Sequence, residues 1–174
     1  MTIIRGGRDD ASSSPAVVLR PPGAGDFGWI IHRHGALYAA EYGWDQTFEA
    51  LVAGVVADFI DHRDPRREAA WMAEIAGEPV GSVLCVKKDD KVAQLRLLLV
   101  EPAARGRGVG SRLVEECIRF ARRAGYEQMM LWTNHPLEEA RRIYDRAGFR
   151  LIEQKHFPQY GRDDLISQTM SLDL

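Results

Sequence analysis

Leu98-Leu99-Val100-Glu101-Pro102-Ala103-Ala104-Arg105-Gly106-Arg107-Gly108-Val109-Gly110-Ser111 carries an apolar strand into a loop with glycine at alternate positions and then directly into an amphipathic helix. Such a junction gathers free backbone N–H groups and the positive end of a helix dipole at one place, which suits a phosphate group. Glycine removes the Cβ atoms that would hold an anion off the backbone, and it admits positive φ. Arg105, Arg107, Arg112, Arg119, Arg122 and Arg123 crowd charge around the same helix, opposed mainly by Glu115 and Glu116. A dinucleotide fingerprint needs glycine at position 111, which is Ser, and no Lys-Ser or Lys-Thr pair closes the loop as in a P-loop. The residues alone leave two readings open, a phosphate cradle or a turn that only reverses the chain.

Outward from this stretch, Val92 to Val100 is the most apolar strand of the chain. Leu113, Val114, Cys117, Ile118 and Ala121 mark the core face of a helix from about Gly108 to Ala124, ended by Gly125. Upstream, a strand at Ala16 to Arg20 is followed by a helix with Asp26 as its expected cap. A second helix follows Asp45, with Phe48, Val52, Val55, Val56 and Phe59 at the 3.6-residue period. Ala70 to Ile75 and Val80 to Val86 read as a hairpin about Ala76-Gly77. Downstream come a strand at Met129 to Thr133, a helix at about Leu137 to Ala147, a strand from Phe149 and a last strand at Leu165 to Leu172. The order β-α-α-β-β-β-α-β-α-β-β predicts an α/β fold with a mixed sheet, because three consecutive hairpin-like strands do not fit an alternating parallel plan. Residues 1–15, polar and rich in Gly and Ser, are expected as a flexible leader to a domain over 16–174.

Composition bounds the function. With 23 Lys and Arg against 25 Asp and Glu, the formal charge of -2 argues against broad nucleic-acid binding. No run approaches the roughly 20 apolar residues of a membrane span. Cys85 and Cys117 stand far apart in apolar runs without metal-ligand spacing, so no metal is expected and a reducing cytoplasm fits.

Arg105-x-x-Gly108-x-Gly110, after a strand ending Val-Glu-Pro, resembles the acyl-CoA signature of the GNAT superfamily of N-acyltransferases. Leu131-Trp132-Thr133-Asn134 followed by Ala140 to Phe149 is similar to the second half of that pattern. In detail the likeness is to the acetyltransferase half of fused MarR regulator-acetyltransferase proteins, without their DNA-binding half. It implies a GNAT-like, mostly antiparallel central sheet of six to seven strands, flanked by about four helices and splayed between the fourth and fifth strands. It also implies acetyl-CoA as co-substrate. Its pyrophosphate would lie on the backbone of Gly106, Arg107, Gly108, Val109, Gly110 and Ser111 beside Arg105, and its pantetheine arm along Leu98, Leu99 and Val100. The implied chemistry is direct attack of a primary amine, on a small molecule or a protein N-terminus, with the Leu98 N–H stabilising the oxyanion and Tyr144 protonating the thiolate. Tyr144 borders the cofactor in this reading; the alternative is a ring that only packs under the sheet. Where many relatives place a cofactor-bonding Asn, this chain has Leu137, and Asn134 is the nearest amide. Where some place a Glu base, it has Gln94.

Period-2 alternation puts Gln94, Arg96 and Leu98 on one face of the central strand and Leu95, Leu97 and Leu99 on the other. Arg96 either binds a substrate carboxylate or pairs with an acid such as Glu41 or Asp45. In the family the region around His34, Glu41 and Tyr42 walls the acceptor site, and Glu41 and His34 are the base candidates; a solvated His and a capping Glu are the plainer readings. His156 to Asp164 is either the opposite wall or a mobile hairpin loop. A non-catalytic acyl-CoA sensor is the competing reading, and the retained Tyr144 favours the enzyme. The expected partners are acetyl-CoA and an amine, with no nucleic acid and no membrane, in a monomer or homodimer.

Overall fold

The computed structural model describes residues 14–174. The expected leader therefore lies outside the described residues except for Ser14 and Pro15. Strand β1 (Val17–Arg20) leads to helices α1 (Asp26–Tyr42) and α2 (Gln46–His62), then to strands β2 (Ala69–Ile75), β3 (Glu78–Lys87) and β4 (Val92–Val100). Helix α3 (Val109–Arg123), strand β5 (Gln128–His135), helix α4 (Glu138–Ala147) and strands β6 (Arg150–His156) and β7 (Ile166–Asp173) complete the chain. The seven strands form one sheet in the order β1-β2-β3-β4-β5-β7-β6. Every pairing is antiparallel except β4 with β5.

Two apolar cores sandwich this sheet. Val83, Cys85, Ala93 and Leu95 join Leu113, Val114 and Cys117 of α3 and Tyr144 of α4 on one face. Met72 and Leu84 join Ile30 of α1 and Phe48, Val52 and Phe59 of α2 on the other. Asp45 caps α2 as its position predicts, accepting from the Thr47 N–H at 3.0 Å. Asp26 does not cap α1. Gly25 takes that position at φ 92°, and the Asp26 carboxylate instead accepts from the Gly23 N–H at 2.6 Å and from Arg20 at 2.6 Å. Asp26 is instead the first residue of the helix, and its carboxylate turns back to the preceding turn and to the guanidinium, a charge-assisted partner.

The decisive irregularity lies in β4. Ser82 pairs with Leu99 and Leu84 with Arg96, so Leu97 and Leu98 stand opposite Val83 alone, with Leu97 at φ 53°. This β-bulge reverses the alternation beyond Arg96. Leu97 packs with α1 and α2, and Leu98 packs with α3, the opposite of strict period-2 placement. The Ser82 hydroxyl secures the bulge by donating to the Leu97 carbonyl at 3.1 Å. Pairing of β4 with β5 covers only Val92, Ala93 and Gln94, so the two strands part shortly before the bulge.

The loop between β6 and β7 is seated on α2. The Asp45 N–H donates to the Tyr160 carbonyl at 3.0 Å, and Tyr160 packs on Trp44 and Phe48 with ring centroids 4.8 and 5.1 Å away. Phe157, Gln159 and Tyr160 of this loop border a cavity between β4 and β5.

Candidate functional site

A first cavity of about 410 Å³ opens between the end of β4, the glycine loop, α4 and the last turns of α1. Leu98, Leu99 and Val100 line it along the β4 edge that β5 has left. Arg105, Gly106, Gly108, Val109, Gly110 and Ser111 line it from the loop and the start of α3. The opening N–H groups of α3 have no acceptor within the helix, because its first turn has no preceding carbonyls. Gly106 and Gly108 adopt φ 77° and 75°, and nothing lies within 4 Å of where a Cβ would stand. Gly110 differs: a Cβ there would come 2.6 Å from Ile143 Cδ1, so this glycine lets α3 and α4 touch.

Positive charge reaches this cavity from two sides. The Arg105 guanidinium donates to Glu41 at 2.6 Å and lies 3.4 Å from Glu139. Arg142 and Arg146, one turn apart on α4, line the far side. Sequence reading missed these two; their i,i+4 spacing inside the second motif was the available signal. Arg107 turns away from the cavity, its guanidinium donating to the Pro15 carbonyl at 2.8 Å, which leaves only its backbone to the loop.

A second cavity, of about 260 Å³, meets the first at Tyr38, Leu98, Leu137 and Ala140, which border both. It occupies the splay between β4 and β5. His34, Gln94, Arg96, Asn134, Tyr144 and Tyr160 are among its lining residues. Sequence reading therefore placed Arg96, His34 and Tyr144 in one space, and Asn134 belongs there too instead of beside the glycine loop. Glu41 and Tyr42 line the first cavity instead of the second. Tyr38, at the junction, is a further residue that no motif marked.

The electrostatics of the second cavity follow from burial. The Tyr144 ring, 5% exposed, packs on Phe149 at 5.9 Å, and burial raises its phenol far above the usual range, so it remains an O–H donor. His34 Nδ1 lies 2.7 Å from the Ile30 carbonyl; a carbonyl only accepts, so Nδ1 carries the proton. Burial pushes this imidazole down to about 4, with the Ile30 hydrogen bond opposing. Arg96 has no acid within ion-pair distance among the described residues. Its two expected partners are engaged elsewhere, Glu41 with Arg105 and Asp45 with the start of α2. Burial lowers the Arg96 guanidinium from its usual range, and the neighbouring Tyr160 and Asp58 oppose that only in part.

The sequence profile of the Acetyltransferase (GNAT) family matches residues 29–149. The chain belongs to the GNAT acetyltransferase family. This GNAT chain is 33% identical over 86 residues to an uncharacterized N-acetyltransferase of Methanocaldococcus jannaschii, covering 45% of itself and 38% of that protein. It is 33% identical over 97 residues to human N-acetyltransferase 8B, covering 53% of itself and 43% of that protein. The chain thus spans less than half the length of these two curated relatives. Among solved structures, a GCN5-related N-acetyltransferase from Kribbella flavida superposes with a TM-score of 0.72 at 22% identity, over 91% of this chain and 98% of that one. A Salmonella typhimurium protein solved with its cofactor acetyl-CoA gives a TM-score of 0.71 at 21% identity, over 91% and 94% of the two chains. These likenesses establish the GNAT fold, with its sheet opened between β4 and β5.

Proposed function

We propose that this GNAT chain is an N-acetyltransferase that moves the acetyl group of acetyl-CoA onto a primary amine, on a small molecule or a protein N-terminus, by direct attack with both substrates bound. One observation carries the reading: two cavities of different character meet at Tyr38, Leu98, Leu137 and Ala140 beside an unpaired strand edge. A donor lodged in one reaches an acceptor lodged in the other only at that junction.

Acetyl-CoA supplies an activated acyl thioester. The open backbone of Gly106 and Gly108 and the first N–H groups of α3 hold its pyrophosphate, as helix N-termini hold anions. The free edge of Leu98 to Val100 pairs with the amides of its pantetheine arm, in the manner of an added strand. Arg142 and Arg146 supply charge, while Glu41 positions Arg105. The Leu98 N–H donates to the carbonyl oxygen as negative charge develops there. As the C–S bond breaks, Tyr144 gives its proton to the departing thiolate, and the proton lost by the attacking nitrogen restores the phenol through water, leaving an amide and free coenzyme A thiol. The buried free thiols Cys85 and Cys117 accord with a reducing, cytoplasmic setting; no described helix is long and apolar enough to cross a membrane.

The test is release of free coenzyme A thiol from acetyl-CoA across a panel of amines, with the acetylated product read by mass spectrometry. Turnover on at least one amine is expected. Tight acetyl-CoA binding with no turnover on any would replace the enzyme with an acyl-CoA sensor.

A further inference from the structure

Three residues that border the second cavity carry buried polar atoms without a partner among the described residues. His34 is 1% exposed and spends its one proton on Ile30, so its Nε2 is a buried lone pair without a partner. The Asn134 side-chain oxygen is a second buried acceptor without a partner, and the Trp44 indole N–H is a buried donor in the same condition. All three residues line the cavity that Arg96 also lines. An unanswered buried polar group costs about 1–3 kcal/mol, and a ligand group or an ordered water that reached these atoms would remove that cost.

The charge of the lining narrows the ligand. Among the described residues no Asp or Glu borders the cavity, and Arg96 is its one permanently charged group. A diamine would bring a second cation with nothing to meet it. A carboxylate matches the planar guanidinium in two parallel hydrogen bonds and removes the cost of an unpaired, half-buried charge. The remaining wall is apolar: Phe48, Leu51, Trp132 and Phe157 border it, and Trp132 is 60% exposed. At about 260 Å³ the space lies below the roughly 300–1,000 Å³ of drug-sized sites, which favours a small acceptor over a folded partner.

We infer that the acceptor is a free amino acid with an apolar side chain, its carboxylate on Arg96, its amine donating to His34 Nε2 and the Asn134 oxygen, and its side chain against Trp132 and Phe157. This rests on the acetyltransferase reading only for what happens next to the amine. Because His34 stays neutral, it accepts from the amine and does not compete with it as a cation.

Calorimetric titration of the coenzyme A-loaded protein tests the inference without requiring turnover. The probes are phenylalanine and leucine, their decarboxylated counterparts 2-phenylethylamine and isoamylamine, the dipeptide Phe-Gly, and putrescine. The amino acids should bind about ten-fold or more tightly than the decarboxylated amines, and putrescine should not bind, since a bidentate carboxylate contact is what separates them. Arg96→Gln should abolish that preference and leave coenzyme A affinity within about two-fold, because Arg96 does not border the first cavity. Equal binding of amino acids and decarboxylated amines, no binding of amino acids, or equal binding of Phe-Gly would overturn the inference. The preference in the unsubstituted protein decides even if Arg96→Gln misfolds. Amino-acid binding with no release of coenzyme A thiol from acetyl-CoA would uphold the site and defeat the acetyltransferase reading.

Discussion

Arg105 of the glycine loop donates to Glu41 in the last turn of α1 at 2.6 Å, across 64 residues of sequence, and both side chains border the first cavity. Glu139 at the start of α4 lies 3.4 Å from the other flank of the same guanidinium. Three elements that share no backbone hydrogen bonding are thereby drawn to one point at the cavity mouth. With two carboxylates close by, Arg105 contributes orientation more than net charge.

Glu41→Gln should therefore act on binding. A partly exposed ion pair is worth about 0–1 kcal/mol, so KM for acetyl-CoA should rise by no more than about five-fold, with kcat nearly unchanged. Steady-state kinetics with acetyl-CoA varied would check this. A fall in kcat of about 100-fold at constant KM would place Glu41 in the chemistry as a base.

The alternate glycines predict two different outcomes. Gly106→Ala meets open space but must adopt φ 77°, so it should cost about 1–2 kcal/mol of stability and weaken acetyl-CoA binding by crowding the backbone cradle. Gly110→Ala drives a methyl toward Ile143 Cδ1, the movable end of that side chain, so a rotation of Ile143 should accommodate it at a change of less than about 1 kcal/mol in stability. Urea unfolding beside acetyl-CoA titration separates them. Unchanged acetyl-CoA affinity in Gly106→Ala would contradict the cradle.

Much of this was readable because local signals agreed. The change from period 2 to period 3.6 at Val100 to Val109, the Asp45 cap and the Ala76-Gly77 turn each depend on neighbours in sequence. What was not readable depends on distant partners. The Leu97 bulge arises because β3 offers one residue against two of β4, a register that no count along β4 contains. Asp26 abandoned a cap position because Arg20 and Gly23 fold back on it. The division of the expected site residues between two cavities depends likewise on how α1 and α4 pack against the parting strands β4 and β5.

Tyr144→Phe removes one oxygen from a ring whose packing on Phe149 and the α3 core is apolar. Stability should change by less than about 1 kcal/mol, and acetyl-CoA affinity should hold, since Tyr144 does not border the first cavity. Loss of a general acid should lower kcat by about 100-fold or more. A full rate in the variant would leave Tyr144 as packing alone.

His34 makes stability depend on pH in a definite window. An unfolded histidine titrates near 6.5, whereas burial holds the folded imidazole down to about 4, so between those values the unfolded chain binds the extra proton. The contribution is whole above about pH 6.5 and is lost as pH falls toward about 4, on the order of 3 kcal/mol in all. Tyr38, stacked on the ring at 5.9 Å, and Phe48 at 6.3 Å offer no charge to soften this. Asp26, held below its usual range by Arg20, titrates at lower pH and is common to both proteins compared. His34→Gln should flatten the decline in urea-derived stability between pH 7 and about pH 4.5. Parallel declines in the two proteins would show that His34 is not the group whose protonation opposes folding.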